Sequence, residues 1–164
     1  MESNEEELVK LYCIYLHQDD AKKNTAMRLA KFNLLEIKHN LQECPRNAII
    51  LNPFAEKVIS FFDHQQLMQN GLIVIDCSWE QIDMSLAKMK NKGRKLPALL
   101  AANTINYGKW EKLSSAEALA AALIIGGYVK QAYQILDKFA WGESFLQINQ
   151  TIFDKLNMIK DEKN

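Results

Sequence analysis

Two stretches of this chain set chemistry-bearing side chains at the ends of apolar segments. Residues 74–79 read VIDCSW, and residues 96–122 read LPALLAANTINYGKWEKLSSAEALAAA. In the first, a buried type of strand runs into an acid, a thiol, a hydroxyl and an indole. In the second, a Leu-Pro extended segment passes through asparagine-rich turn chemistry into a capped, alanine-rich helix. Open α/β sheets hold ligands just beyond the carboxyl ends of their strands, and both stretches supply such ends. Asp76 is the carboxylate of greatest interest. Burying it without a partner is costly. It therefore either caps the helix that starts near Trp79, a task Ser78 could share, or receives a cation from a ligand. Trp79 reads as a core residue on the apolar face of its helix. The basic residues Lys88, Lys90, Lys92, Arg94 and Lys95 follow. They form a solvated helix end or, with Arg28 and Lys31, a rim that contacts phosphates.

Other chemistries find no support in the motifs. There is neither a G-x-G-x-x-G nor a P-loop, so no dinucleotide or triphosphate site is expected. His17, His39 and His64 lack metal-ligand spacing, and no metal is expected. Cys13, Cys44 and Cys77 are scattered with no C-x-x-C pair, a pattern of reduced thiols in a cytoplasmic protein. The acidic start over residues 1–7 is unlike a secretory signal. The apolar run over residues 118–129 is too short to span a bilayer. A monomer with no membrane contact is the expectation. Twenty basic and twenty acidic residues leave a net charge of zero. Any contact with nucleic acid must then come from a local basic patch.

Periodicity gives the elements that position these residues. Residues 11–16, 48–51 and 72–75 are short apolar runs, read as strands buried on both faces. The last follows an Asn70-Gly71 turn. Thr25 is placed to cap a short basic helix with Leu29 and Phe32 on one side. Trp79, Ile82, Leu86 and Met89 step along one face of another helix, which Asn91-Lys92-Gly93 ends. Residues 96–101 read as a short strand. Ser114 and Glu117 form a capping box, and Gly126-Gly127 closes the helix they begin. Residues 128–139 and 142–159 read as two further amphipathic helices, the second with Phe145, Ile148, Ile152 and Leu156 on one stripe. The result is a flexible acidic tail (1–7), an α/β half (8–100) and an all-helical half (101–164), packed as one compact unit.

These features carry a family resemblance. The chain resembles the small-subunit ribosomal RNA aminocarboxypropyltransferases of archaea and eukaryotes. The family's signatures are D-C-S-W, L-P-x-L-x-A-A-N-P-x-N-Y-G, L-S-x-x-E-A and K-F-x-W-G-x-x-F-L-x-x-N. They stand here as Asp76-Cys77-Ser78-Trp79, residues 96–108, residues 113–118 and residues 138–149. The likeness reaches upstream through residues 20–34 and Leu51-Asn52-Pro53. Some positions depart from the pattern. Thr104 replaces a proline, and Asn52 replaces the serine of Leu-Ser-Pro. Residues 20–26 (DAKKNTA) are a degenerate D-P-x-x-C-T-G, and Glu111 stands where archaeal members often carry tyrosine.

The resemblance implies a SPOUT-like α/β fold, with a knotted parallel-sheet N-terminal half and a deep trefoil knot around the cofactor. It implies transfer of the 3-amino-3-carboxypropyl group from S-adenosyl-L-methionine to N3 of a pseudouridine, commonly methylated at N1. The target would lie in small-subunit ribosomal RNA during ribosome biogenesis, and the by-product would be 5′-methylthioadenosine. The implied cofactor site is Thr25, Leu51, Pro53, Ile75, Asp76, Trp79, Leu96, Glu111 and Ser115. Asp76 would anchor the ammonium group or act as the catalytic group that takes a proton from the base. Arg28, Lys31, Lys92, Arg94 and Lys95 would hold the RNA. Two alternatives stand beside this reading: a SPOUT-class RNA methyltransferase, and a non-catalytic ribosome-assembly factor that binds RNA.

Overall fold

The fold is built on five consecutive buried residues, Leu11–Tyr15 (β1). A strand buried on both faces belongs inside a parallel sheet covered by helices. In the computed structural model of the protein, which describes residues 7–15, 24–76, 93–109 and 112–162, with side chains to 157, that is where it lies. Glu36–Lys38 (β2), Ile49–Ile50 (β3) and Leu72–Asp76 (β4) complete a four-stranded sheet in the order β2-β1-β4-β3. Every pairing is parallel, with Leu11 opposite Leu72, Tyr15 opposite Asp76, Cys13 opposite Ile37 and Ile49 opposite Leu72. Period-two alternation sorts the side chains. Leu11, Cys13, Tyr15, Leu72 and Val74 enter the larger core, while Tyr12, Ile14 and Ile73 enter a smaller cluster with Ala48.

The larger core packs against Ser115–Ile125 (α3), which follows Thr25–Lys31 (α1) and His64–Asn70 (α2) in the chain. Nine of α3's eleven residues are buried. A helix that is apolar on all sides belongs at the centre of a fold, and its alanines 116, 120, 121 and 122 let neighbouring elements approach closely. The Ser114–Glu117 capping box is present, and Gly127, at φ 96°, makes the left-handed turn that ends the helix. Val129–Leu136 (α4), Gly142–Ile148 (α5) and Gln150–Glu162 (α6) follow. One core cluster runs from Val9 through α3 to Phe145 and Phe153, so sheet and helices share a single interior.

Several sequence expectations are corrected. Asn24, not Thr25, caps α1: its side chain accepts from the Met27 N–H, and Thr25 is the first helical residue. Leu29 is buried as expected, but Phe32 is the exposed C-cap residue, 47% accessible. Residues 96–101 do not form a regular strand. An isolated bridge is formed at Leu100, parallel bridges fall earlier, between Leu51 and Arg94 and between Val58 and Lys95, and the Asn149 side chain takes both backbone groups of Leu100, at 2.8 and 2.9 Å. The same residue breaks the expected helix over 142–159 in two, at the junction of α5 and α6. Four elements among the described residues were not anticipated: β2, the 3-10 turn Leu41–Glu43, the 3-10 turn Phe61–Asp63, and the helix α2 that it leads into. The expected helix after Trp79 lies outside the described residues.

Candidate functional site

Strand order reverses between β1 and β4. β1 connects to β2 at one edge, whereas β4 inserts between β1 and β3. Ligand crevices in open α/β sheets form at such a switch point, beyond the strands' carboxyl ends. The two residues at that point are Tyr15 and Asp76, register partners at the ends of their strands. Asp76 is half-buried. It accepts a hydrogen bond from the Asn24 side-chain amide, and the other end of that amide caps α1 through the Met27 N–H at 3.0 Å. One asparagine therefore ties the start of α1 to the end of β4. Next to it, the Thr25 hydroxyl accepts from the Ala116 N–H at 3.0 Å. This satisfies one of the first-turn N–H groups of α3 that the helix itself leaves unpaired. Ser115 stands beside that contact, half-buried, at the first position of α3. Thr25, Asp76 and Ser115 are thus brought together through Asn24 and Ala116.

The opposite wall comes from β3 and the segment after Gly93. β3 stops at Ile50 opposite Ile73, while β4 continues through Ile75 and Asp76. Arg94 lies beside Leu51: its N–H donates to the Ile50 carbonyl, and its carbonyl accepts from Asn52, both at 2.9 Å. Leu51 is buried, Ile75 and Leu96 are half-buried, and Pro53 is exposed. Asn52 is buried, and its side-chain oxygen accepts from the Phe54 N–H at 2.9 Å. Asparagine in place of the usual serine keeps the local turn.

A buried carboxylate fixes the loop that closes the site from the α3 side. Glu117 is fully buried and accepts from the Ala102 N–H at 2.6 Å, the Asn103 amide at 2.7 Å and the Ser114 N–H at 2.9 Å. Asn103 in turn accepts from the Ile105 and Asn106 N–H groups. The turn over residues 103–106 is therefore made by Asn103, and Thr104 in the proline position is exposed.

The basic residues divide. Arg28 and Lys31 are exposed on α1, and Lys95 is half-buried. Arg94 belongs to the crevice wall: its Nε donates to the nearly buried Asp63 carboxylate at 3.1 Å, and its Nη1 donates to the Gly93 carbonyl at 2.8 Å. Trp79, Glu111 and Lys92 lie outside the described residues. Cys13 is not a nucleophile. Burial, and then the negative charge of Asp76, push its thiol from 9.0 up to about 12, so it holds its proton. Among the described residues no cluster of His, Cys, Asp or Glu could hold a metal ion, and no helix is long and apolar enough to cross a membrane.

Sequence reasoning missed Asn24, Asp63, Asn103 and Asn149. Asn103 and Asn149 lie inside the quoted motifs, which gave a signal. Asn24 is hidden by the degenerate residue 20–26 box, and Asp63 was marked only by the Ser60-x-x-Asp63 capping box, which the structure forms. The arrangement as a whole sets one half-buried carboxylate at the carboxyl ends of the strands, where open α/β sheets take ligands, with the apolar Leu51 and Leu96 on neighbouring segments. Such a site suits a ligand with a cationic end and a flat, weakly polar body.

Known proteins share this architecture and sequence. Residues 49–164 match the family described as "Ribosome biogenesis protein, C-terminal". The 16S rRNA aminocarboxypropyltransferase of Methanosarcina acetivorans is 42% identical over 156 residues, covering 93% of this chain and 88% of that protein. The protein of the same name from Thermoplasma acidophilum is 40% identical over 156 residues, with 95% and 94% covered. Among solved structures, the SAM-dependent rRNA:acp-transferase of Vulcanisaeta distributa is similar with a TM-score of 0.83 at 36% identity. That match covers 91% of this chain and 83% of the other.

Proposed function

This chain belongs to the family of 16S rRNA aminocarboxypropyltransferases, and from that premise we propose that it transfers the 3-amino-3-carboxypropyl group of S-adenosyl-L-methionine to small-subunit ribosomal RNA. The acceptor is N3 of a pseudouridine, commonly methylated at N1, and 5′-methylthioadenosine is released. The enzyme works as a cytoplasmic monomer on the RNA or the pre-ribosomal subunit. One structural observation carries the reading: the half-buried Asp76 at the switch point, coupled through Asn24 to α1 and beside the start of α3.

The residues present fit S-adenosyl-L-methionine. Asp76 offers a carboxylate for the α-ammonium group. A carboxylate has about four acceptor sites, so the bond from Asn24 is compatible with a second donor. Thr25 and Ser115 line the polar end, Leu51 and Pro53 offer an apolar wall for the adenine, and Ile75 and Leu96 act mainly through their backbone groups. By the family resemblance Trp79, in the D-C-S-W motif, and Glu111, between the second and third motifs, complete the set, and an indole beside a sulfonium gains cation–π attraction. When bound, the cofactor supplies a sulfonium that activates its three neighbouring carbons. The chain's own contribution is orientation, which is worth about 7–11 kcal/mol in favourable cases. An Asp76 anchor fixes the aminocarboxypropyl arm at one end, so the crevice decides which carbon meets the RNA. We assign the RNA rim to Arg28, Lys31, Lys92 and Lys95, and give Arg94 the task of holding the wall through Asp63. The return of the chain from β4 to lie along Leu51 and Val58 supports a SPOUT-like trefoil knot around this crevice.

Mass spectrometry of nucleosides tests the reading. Pre-ribosomal RNA incubated with the protein and S-adenosyl-L-methionine should gain one aminocarboxypropyl group on a pseudouridine. Methylthioadenosine should appear in step. RNA that gains only a methyl group, or nothing, refutes it.

A further inference from the structure

The motif over residues 138–149 divides into a structural part and an unexplained part. Asn149 clamps Leu100 and Phe145 is fully buried. Gly142 is required because a Cβ there would collide with the Leu136 carbonyl oxygen. Phe139 and Trp141 pack against the core on one side but, like Lys138, are only half-buried. They gather beside the C-terminal end of α1. The Phe139 and Trp141 rings stack at 4.7 Å with 24° between planes. Arg28 lies between rings, with its guanidinium carbon 5.6 Å from the centre of Phe32 and 5.7 Å from that of Phe139. Its Nε is bonded to the Lys138 carbonyl at 2.7 Å, and the Lys138 ammonium lies 4.8 Å over Phe32. Phe32 is 47% exposed.

A surface made of rings and cations has specific partners. The two ion pairs found among the described residues join Lys38 to Glu36 and Arg94 to Asp63, so Arg28, Lys31 and Lys138 are not paired with carboxylates there. A docked protein would need complementary acids at several points. An unpaired nucleotide supplies both needed features in one unit, a flat base for the rings and a phosphate for the cations. The position also suits RNA. α1 starts at the Asn24–Thr25 end of the crevice and has seven residues, so Phe32 stands about 10 Å from the cofactor end.

We propose that Arg28, Phe32, Lys138 and the Phe139–Trp141 pair form a base-stacking platform, which holds an unpaired nucleotide of the substrate RNA beside the target uridine. The proposal rests on the reading of the chain as an RNA-modifying enzyme. Arg28 and Lys138 are pre-set by their mutual bond and by cation–π contact, so the platform has little ordering to undergo when RNA arrives.

The test measures affinity for a single-stranded fragment of the target RNA, with S-adenosyl-L-methionine affinity and product formation recorded in parallel. Phe32→Ala should weaken RNA binding about 5- to 100-fold, the loss of one stacked base. The slope of log affinity against log salt should not change, because no phosphate contact is removed. S-adenosyl-L-methionine affinity should not change, and Phe32→Trp should restore RNA binding. In an RNA carrying a single abasic site, moved along the strand, one position should weaken the wild type and leave Phe32→Ala unaffected. Three outcomes overturn the proposal: unchanged RNA affinity in Phe32→Ala, a loss accompanied by a shallower salt slope, or an unaltered RNA affinity beside lost association with a small-subunit protein. A wild type that forms product while its variants behave normally sinks the platform alone. A wild type that neither binds the cofactor nor forms product sinks the enzyme reading and the platform with it.

Discussion

Replacing Glu117 should disturb the site without touching any ligand. Its carboxylate is fully buried and has three donors, with Oε2 serving Ala102 and Oε1 serving both Asn103 and Ser114. In Glu117→Gln the amide keeps one acceptor oxygen. The best arrangement leaves that oxygen on Asn103 and Ser114 and turns the NH2 toward the Ala102 N–H. One buried donor then faces another, at a cost of about 1–3 kcal/mol. For a domain of this size each kcal/mol lowers Tm by about 2–4 °C, so a mid-range loss of ~2 kcal/mol lowers it by about 4–8 °C. Glu117→Ala orphans all three donors and should cost about 3–5 kcal/mol. Thermal denaturation gives the first number, and amide hydrogen exchange locates it. Protection of Ala102 should fall first in the glutamine variant, and protection of both Ala102 and Ser114 in the alanine variant. S-adenosyl-L-methionine affinity should fall with it, because Ser114 begins the helix that carries Ser115. A glutamine variant that melts with the wild type and keeps Ala102 protected would refute the claim that this carboxylate holds the loop.

Further outcomes follow from the same geometry. Asn149→Ala should lose about 2–4 kcal/mol in urea unfolding, because it frees both backbone groups of Leu100 and one bond to the Phe145 carbonyl; Asn149→Asp, which keeps only the acceptor, should fall between. Asp76→Asn should preserve the bond from Asn24 through its amide oxygen yet weaken S-adenosyl-L-methionine binding about 10- to 100-fold by calorimetry, since a charge-assisted contact is lost; equal affinity would remove Asp76 from the ammonium site. Cys13 titrates near 9.0 when unfolded and near 12 when folded. The folded chain therefore holds the proton longer, and this contribution is full below the unfolded value and lost as pH rises toward the folded one. Between those two values stability should fall by up to about 1.4 kcal/mol per pH unit, and urea midpoints of Cys13→Ala should fall less steeply.

What the sequence could reveal depended on where the controlling contact lay. β1 and β4 are continuous apolar runs because both faces of the strand are buried, so composition alone marks them. The Ser114–Glu117 box is local chemistry and was equally visible. β2 is Glu-Ile-Lys at the sheet edge, where solvent permits charged residues, and no apolar pattern betrays it. Residues 96–101 have strand composition, but the Asn149 side chain, about fifty positions away, takes both backbone groups of Leu100, and only an isolated bridge forms there. The same distant contact explains the break between α5 and α6 in a stretch with unbroken helical periodicity. Asn24 displaced Thr25 as the cap because the Thr25 hydroxyl is engaged by Ala116 across the fold. In the site, the motif residues at strand ends were legible. The partners that fix them, Asn24 on Asp76 and Asp63 on Arg94, arise only from tertiary packing.

The central claim is that the crevice presents the carbon of the aminocarboxypropyl arm, not the methyl group, to ribosomal RNA. Two preparations of S-adenosyl-L-methionine, one labelled in the carboxyl carbon and one in the methyl carbon, test it in a single assay with pre-ribosomal RNA. The carboxyl label should enter the RNA in step with methylthioadenosine release, and the methyl label should stay in the released nucleoside. Methyl label in the RNA with the carboxyl label left in solution would contradict the account.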